Sequence, residues 1–182
     1  MYDWLPGAVA DNGTVITANR RLARVLAQEY ADRQVTAGVS AWRPPRILAW
    51  SDWLDRLLQE AAGQENLPTR INHHHSTLLW ERCLRKELDG NVAGTGNLVR
   101  LARETWQRLA DWTVGIRDVA RHAQTRDHRM FAAAAGRYAA LLEGRNWVDE
   151  AGLASLVEQL LDEGRLRLAG RYTFAGFDRS KP

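Results

Sequence analysis

Hydrophobic and polar positions near the start of the chain predict a strand, a polar turn and an amphipathic helix. The run from Thr14 to Thr17 is short, apolar and β-branched, as a buried strand is. Asn19 follows it as a candidate helix N-cap. The apolar face of the predicted helix comprises Leu22, Val25, Leu26 and Tyr30. This unit is the one from which parallel α/β sheets are built.

A second unit of the same kind is predicted after the two prolines Pro44 and Pro45, which favour an extended chain. Ile47–Trp50 forms a predicted short strand, and Ser51 is the predicted cap of the next helix. The apolar stripe of that helix comprises Trp53, Leu54, Leu57 and Leu58.

The pattern from Ser76 to Gly164 is helical throughout and predicts about four to six helices. A turn is predicted at Gly94–Asn97, and Asp149 is predicted to cap the last helix, where the Asp149-Glu150 pair complements the helix dipole. Strand character returns at Arg171–Phe177 and is followed by Asp178.

This order predicts an α/β fold, a partial parallel sheet with a large all-α insertion. The predicted division is 1–65 for the first part of the core, 66–165 for the insertion and 166–182 for the returning strand. Because a core strand is expected close to Pro182, the chain is expected to be the N-terminal piece of a longer protein.

Composition narrows the class of protein only modestly. The formal charge is +3, and all but two of the 25 basic residues are arginines. Arginine suits planar contacts with phosphate and bases, although genomic base composition also enriches it. Cys83 is the only cysteine, which excludes an intramolecular disulfide and fits a reducing cytoplasm. No apolar run approaches the ~20 residues that span a bilayer, so no membrane association is expected.

The turn after the first strand is the main candidate site. Thr17 and Asn19 carry groups that hydrogen-bond phosphate, and Arg20 or Arg21 can pair with it beside a helix N-terminus. The alternative is that Asn19 only caps the helix, and the sequence leaves both interpretations open. Trp42, beside Arg43, is the tryptophan expected to be exposed for base stacking. Core packing is predicted for Trp50, Trp80, Trp112 and Trp147.

Nucleotide and metal chemistry is not expected. The chain has no G-x-x-x-x-G-K-[ST] loop to hold a triphosphate. The run His73-His74-His75 begins a predicted helix, where adjacent side chains diverge instead of converging on a metal ion. Asp178 follows a predicted core strand and is a candidate degenerate Walker-B-like acid. No cofactor, metal site or catalytic residue is therefore assigned.

Five segments, taken in order, resemble one family. Val15–Ala23 resembles motif Ia of superfamily 1 helicases, and Arg46–Leu54 resembles the next strand and helix of AddB-type subunits of bacterial helicase–nuclease complexes. Tyr138–Leu142 and Trp147–Leu153 resemble the helices before their Walker-B-like strand, and Tyr172–Asp178 resembles that strand. The resemblance implies a P-loop-NTPase-like helicase domain 1A with a helical 1B insertion.

The relatives implied are DNA repair proteins with an AddB-like N-terminal part and a RecB-family exonuclease domain of the PD-(D/E)XK type. The chain departs from this family in two ways, because the Walker A loop is absent and Asp178 stands without a following Glu. Both departures argue against ATP hydrolysis, so a non-catalytic domain is expected, and the lone cysteine favours a cytoplasmic one. The resemblance implies that Thr17, Asn19 and Arg20 face DNA, single-stranded or at a duplex end, and guide it to the nuclease.

Two alternatives remain open at this point. One is a protein–protein docking module that binds a helicase or nuclease partner subunit without touching DNA. The other is an NTPase with an unorthodox phosphate site.

Overall fold

The fold is mixed α/β and was obtained as a computed structural model, which describes residues 2–63, 66–88 and 95–177. The helices are α1 Leu5–Val9, α2 Arg20–Thr36, α3 Trp50–Glu60, α4 His73–Arg85, α5 Thr95–Asp111, α6 Ile116–Arg121, α7 Arg126–Glu143 and α8 Leu153–Asp162. The strands are β1 Thr14–Thr17, β2 Arg46–Ala49, β3 Thr69–Arg70, β4 Trp147–Val148 and β5 Tyr172–Ala175.

Three of the strands form a parallel sheet in the order β2-β1-β5. Thr17, the last residue of β1, pairs with Ala49 in β2 and with Ala175 in β5. The three strands therefore end at the same edge of the sheet. The predicted parallel sheet is confirmed, and the boundaries predicted for the first strand agree with those of β1.

Helices cover both faces of this sheet. On one face, a cluster of buried residues joins α1 and α2 to β1: Leu5, Ala8, Val15 and Leu26. On the other face, α3 buries Trp53, Leu54 and Leu57. The Trp53 ring lies 6.1 Å from the ring of Phe174 in β5, which shares a sheet face with its register partner Ile16. The helical periodicity of α3 thus matches the face that it buries.

A second core joins α4, α5 and α7. Its centre is aromatic: Trp80 stacks on Tyr138 with ring centroids 4.4 Å apart, and both side chains are fully buried. Cys83, Leu84 and Ala134 are also buried in this cluster. Small side chains on α7, mostly alanines, allow that helix to pack closely against its neighbours.

The prediction of an all-α insertion is wrong in one detail. Thr69–Arg70 and Trp147–Val148 form a short parallel pair, β3 with β4. A strand of two residues is too short to show an alternating hydrophobic pattern. The residue types at these positions also occur both in strands and at helix ends. Helix α1 was also missed, because its five residues include Pro6 and Gly7.

Several boundaries and burial predictions need correction. The cap of α3 is Ala49 and not Ser51, which lies inside the helix. The turn predicted at Gly94–Asn97 is partly helical, because α5 begins at Thr95. Trp112 lies just after α5 and is 54% exposed, so it is not a core residue. Val25 and Leu101 lie on predicted apolar stripes but are exposed, because those stripes are wider than the contact surfaces.

The described residues divide into two compact units. Residues 2–63 and 157–177 form the sheet unit, and residues 66–88 and 95–156 form the helical unit. The change from one unit to the other falls inside α8. The domain boundaries predicted at 65 and 165 stay predictions.

At Gly176 the fold requires glycine for two reasons, its backbone conformation and its packing. Its φ is +76°, and an added Cβ would collide with Cδ2 of Leu22 in α2. Gly38 has a similar φ of +73° with nothing nearby, so it provides a matched control. We expect Gly38→Ala to cost about 1–2 kcal/mol of unfolding free energy from backbone strain alone, and Gly176→Ala to cost more.

Urea unfolding of both variants measures this difference. The additional Leu22→Ala substitution should remove the excess cost of Gly176→Ala over Gly38→Ala in a double-mutant cycle. Equal costs for the two glycine variants would mean that Gly176 and Leu22 do not pack as described.

Candidate nucleic-acid interface at the sheet edge

The candidate site lies at the edge where the three parallel strands end. β1 leads into the turn Ala18–Asn19 and the first turn of α2, and β2 leads directly into α3. β5 leads into Gly176 and Phe177. Residues that follow parallel strands share one edge of a sheet, and ligands of open α/β sheets bind there.

Thr17 holds the turn together from inside. Its side chain is fully buried, and its hydroxyl donates to the carbonyl of Asn19 at 2.9 Å and lies 3.3 Å from that of Leu48. A hydroxyl committed in this way stabilises the exit from β1. The predicted contact between Thr17 and phosphate therefore has no geometric support.

Asn19 caps α2, as predicted. Its Oδ1 accepts a hydrogen bond from the backbone N–H of Leu22 at 2.9 Å. Of the two interpretations that the sequence left open for Asn19, this geometry favours the cap. The cap also orients the N-terminus of α2, with its amide donors and partial positive charge, toward the sheet edge.

Arg20 is exposed but paired. Its Nη2 lies 2.5 Å from Oδ1 of Asp52, and its Nε lies 3.0 and 3.2 Å from the two carboxylate oxygens. Asp52 lies in the first turn of α3, so this ion pair joins the two helices that follow β1 and β2. Since 67% of the Arg20 side chain is exposed, the pair is strongly screened by solvent.

Arg21 and Arg24 supply positive charge beside this pair. Both lie on α2, both are exposed, and neither has an acidic partner among the residues that the structure describes. Arg21 is therefore the cation of the predicted set that is best placed to pair with a phosphate.

Of the remaining predicted site residues, one is not brought to this group and the other is not described by the structure. Trp42 is half-buried in the loop before β2, which enters the sheet at the opposite edge, so its role in DNA binding stays a prediction. Asp178, the predicted Walker-B-like acid, lies outside the described residues.

Sequence reasoning missed an aromatic group at the same edge. We call Trp50, Phe174 and Phe177 the edge aromatic cluster. Their ring centroids lie 5.9 to 6.5 Å apart, and Phe174 and Phe177 expose 55% and 42% of their surface. Trp50 had been predicted as core and is half-buried. The signal was present in the sequence, because an aromatic residue follows both β2 and β5.

The helical unit holds a separate buried polar cluster around Asp149. Its Oδ2 accepts hydrogen bonds from Trp106 Nε1 at 3.0 Å and from the Tyr138 hydroxyl at 2.8 Å. Its Oδ1 accepts from the backbone N–H of Gly152 at 3.1 Å. Asp149 was predicted as the cap of the last helix, but α8 begins only at Leu153. The carboxylate instead joins α5, α7 and the turn before α8.

This cluster continues toward the surface through Ser76 and Arg103. The Ser76 and Tyr138 hydroxyls lie 2.9 Å apart, and Nε of Arg103 donates to Ser76 Oγ at 3.4 Å. The Arg103 guanidinium also lies 2.8 and 2.9 Å from the two ring nitrogens of His73. In the described part of the chain no three His, Cys, Asp or Glu side chains group closely enough to hold a metal ion.

No protein-family model matches the chain, and no curated protein sequence shows significant similarity to it. Among the described helices, none combines the length and apolar character needed to cross a bilayer.

Because of the Asp149 cluster, the folding stability of the chain is expected to fall at alkaline pH. Burial, and next the negative charge of Asp149, raise the pKa of Tyr138 above its ordinary value. An unfolded tyrosine loses its proton near pH 10, whereas folded Tyr138 keeps it. Stability is therefore complete below about pH 10 and falls as the pH rises further, by about 0.8 kcal/mol at pH 10.5.

Urea unfolding at pH 8 and pH 10.5 tests this in a Cys83→Ala background, because burial also raises the pKa of that thiol. Tyr138→Phe should lower stability at pH 8 and reduce the further loss between the two pH values. Tyr30→Phe, which removes a phenol from the sheet unit, is the control. If Tyr138→Phe loses as much stability between pH 8 and pH 10.5 as its parent does, the pH dependence does not come from Tyr138.

Proposed function

We propose that this chain is a non-catalytic, helicase-like DNA-binding domain of a bacterial DNA repair protein. In this proposal the sheet unit corresponds to helicase domain 1A, the helical unit corresponds to domain 1B, and DNA is held or guided at the C-terminal edge of the sheet. A PD-(D/E)XK nuclease domain of the same repair protein would act on the DNA that this domain presents.

The observation that carries the proposal is the convergence of basic groups on that edge. β1 and β5 end in register beside β2, and the capped N-terminus of α2 presents Arg20 and Arg21 directly after β1. Helix N-termini and arginines are the groups that proteins use to hold phosphate oxygens. The absence of a triphosphate loop from the sequence fits binding of a nucleic-acid backbone without nucleotide hydrolysis.

The Arg20–Asp52 ion pair can open at little cost in stability. An exposed pair contributes about 0–1 kcal/mol to stability, so little stability is lost if Arg20 turns from Asp52 to a phosphate. Asp52 holds the guanidinium at the edge and limits its interaction with anions.

A second candidate function is docking of a helicase or nuclease subunit. It is favoured by one specific observation, the exposed rings of Phe174 on the edge strand β5 and of Phe177 just after it. Exposed apolar surface of this kind occurs at protein–protein contacts as well as at ligand sites.

Charge variants at the two edges of the sheet test the DNA proposal. Arg21→Ala should weaken binding of a fluorescent single-stranded oligonucleotide at low salt and lower the slope of log K against log salt by about 1. Arg46→Ala is the matched control, because it removes the same charge from the opposite edge, where Arg46 begins β2 beside Thr14. Anisotropy titrations at several salt concentrations measure both effects.

Asp52→Asn gives a prediction of opposite sign. Removing the carboxylate ends the Arg20–Asp52 pair and deletes a negative charge at the sheet edge, so affinity should rise about two- to fivefold at low salt. If the chain binds no DNA at low salt, or if Arg46→Ala weakens binding as much as Arg21→Ala, the proposed interface is wrong.

A further inference from the structure

We infer that the edge aromatic cluster, Trp50, Phe174 and Phe177, is a stacking surface for unpaired bases, so that the ligand of the sheet edge is single-stranded nucleic acid. This inference rests on the proposed function and deepens it. It concerns residues outside the polar turn from which that function was argued.

The cluster is a connected surface whose rings come from separate segments. Trp50 is the first residue of α3, Phe174 lies in β5, and Phe177 follows β5. The Trp50 and Phe177 rings meet edge to face at 6.1 Å, and Phe174 and Phe177 do so at 5.9 Å. Trp53, which is buried, supports Trp50 from below at 5.1 Å.

The packing of the cluster explains why it stays in place while exposed. The rings of Trp53 and Tyr172 lie 5.7 Å apart, and Trp53 also contacts Phe174 at 6.1 Å. Rings supported in this way lose little conformational freedom when a ligand stacks on them. This is the property that makes aromatic residues effective binding groups.

Positive charge beside the cluster favours a polyanionic ligand, and the exposed rings favour a ligand with flat, apolar faces. Asp52, the partner of Arg20, lies in the same helical turn as Trp50. Gly176, next to Phe177, packs against Leu22, the neighbour of Arg21 in α2. The rings and the two arginines therefore occupy one edge. A single strand offers both complements at once, because its phosphates pair with arginines and its bases stack on rings.

Duplex DNA offers phosphates to the arginines but not free base faces to the rings. Its bases are stacked on one another, so along the length of the duplex their faces are not open to the rings. We therefore expect the rings to favour single strands and to act on any sequence, because every base has a stacking face.

A comparison of three fluorescent probes tests the inference on the full 182-residue chain: a thymidine 12-mer, an abasic 12-mer with the same backbone, and a blunt 12-base-pair duplex. The thymidine strand should bind more tightly than the abasic strand. Phe174→Ala and Phe177→Ala should each weaken thymidine binding by about 5- to 150-fold and leave abasic binding unchanged.

Trp112→Ala is the matched control, because it removes an exposed indole from the helical unit. Circular dichroism and urea unfolding confirm that each variant is folded, and Phe174→Leu and Phe177→Leu keep the apolar volume but remove the flat ring. The leucine variants should bind as weakly as the alanine variants.

The outcomes separate this inference from the proposed function. Equal affinity for thymidine and abasic strands, with both weakened by Arg21→Ala, would overturn base stacking and leave phosphate binding at the edge intact. Failure of every probe to bind at low salt would overturn both. If the chain self-associates, and Phe174→Ala abolishes that association without any effect on thymidine binding, the cluster serves contacts between copies of the chain and the inference is overturned.

Discussion

The parallel pairing of β1 with β5 connects segments near the two ends of the chain. The N–H of Thr14 donates to the carbonyl of Arg171, and the N–H of Ala18 donates to that of Ala175, so hydrogen bonds extend beyond both ends of the four-residue ladder. Arg171 adds a side-chain link, because its Nη2 donates to the carbonyl oxygens of Gly7 and Ala10. Closing such a long loop costs chain entropy, which grows only slowly with loop length. Burial of Val15 and Ile16 on opposite faces of β1 helps to offset that cost.

The same pairing creates the candidate interface. Without β5 beside β1, Phe174 and Phe177 would not lie at the edge that carries Arg20 and Arg21. Gly176 makes the close approach possible, since a side chain there would displace Leu22. A different interaction stabilises the helical unit. Its buried Asp149 carboxylate accepts hydrogen bonds from Trp106, Tyr138 and Gly152. A buried carboxylate needs such donors, because leaving it unpaired is very costly.

The sequence was sufficient where local chemistry decides the structure. A β-branched run followed by Asn defines β1 and the cap of α2, and the three-to-four-residue repeat defines α3 and α7. It was insufficient to predict features that depend on contacts between residues far apart in the chain. Asp149 was assigned to a helix terminus, because nothing in its neighbourhood reveals that Trp106 and Tyr138 donate to it. Trp112 was assigned to the core on periodicity alone, although α5 ends one residue before it. The edge aromatic cluster depends on the pairing of β5, and no local pattern specifies which strand a segment will join.

The most direct test of the account is an NMR titration of the isotope-labelled chain with a thymidine 12-mer at low salt. Binding at the sheet edge predicts the largest amide shifts at Ala18–Leu22, Trp50–Asp52 and Gly176–Phe177, together with a shift of the Trp50 indole N–H. Shifts confined to the helical unit, or no shifts at a concentration that saturates binding measured by anisotropy, would contradict the assignment of this edge as the nucleic-acid interface.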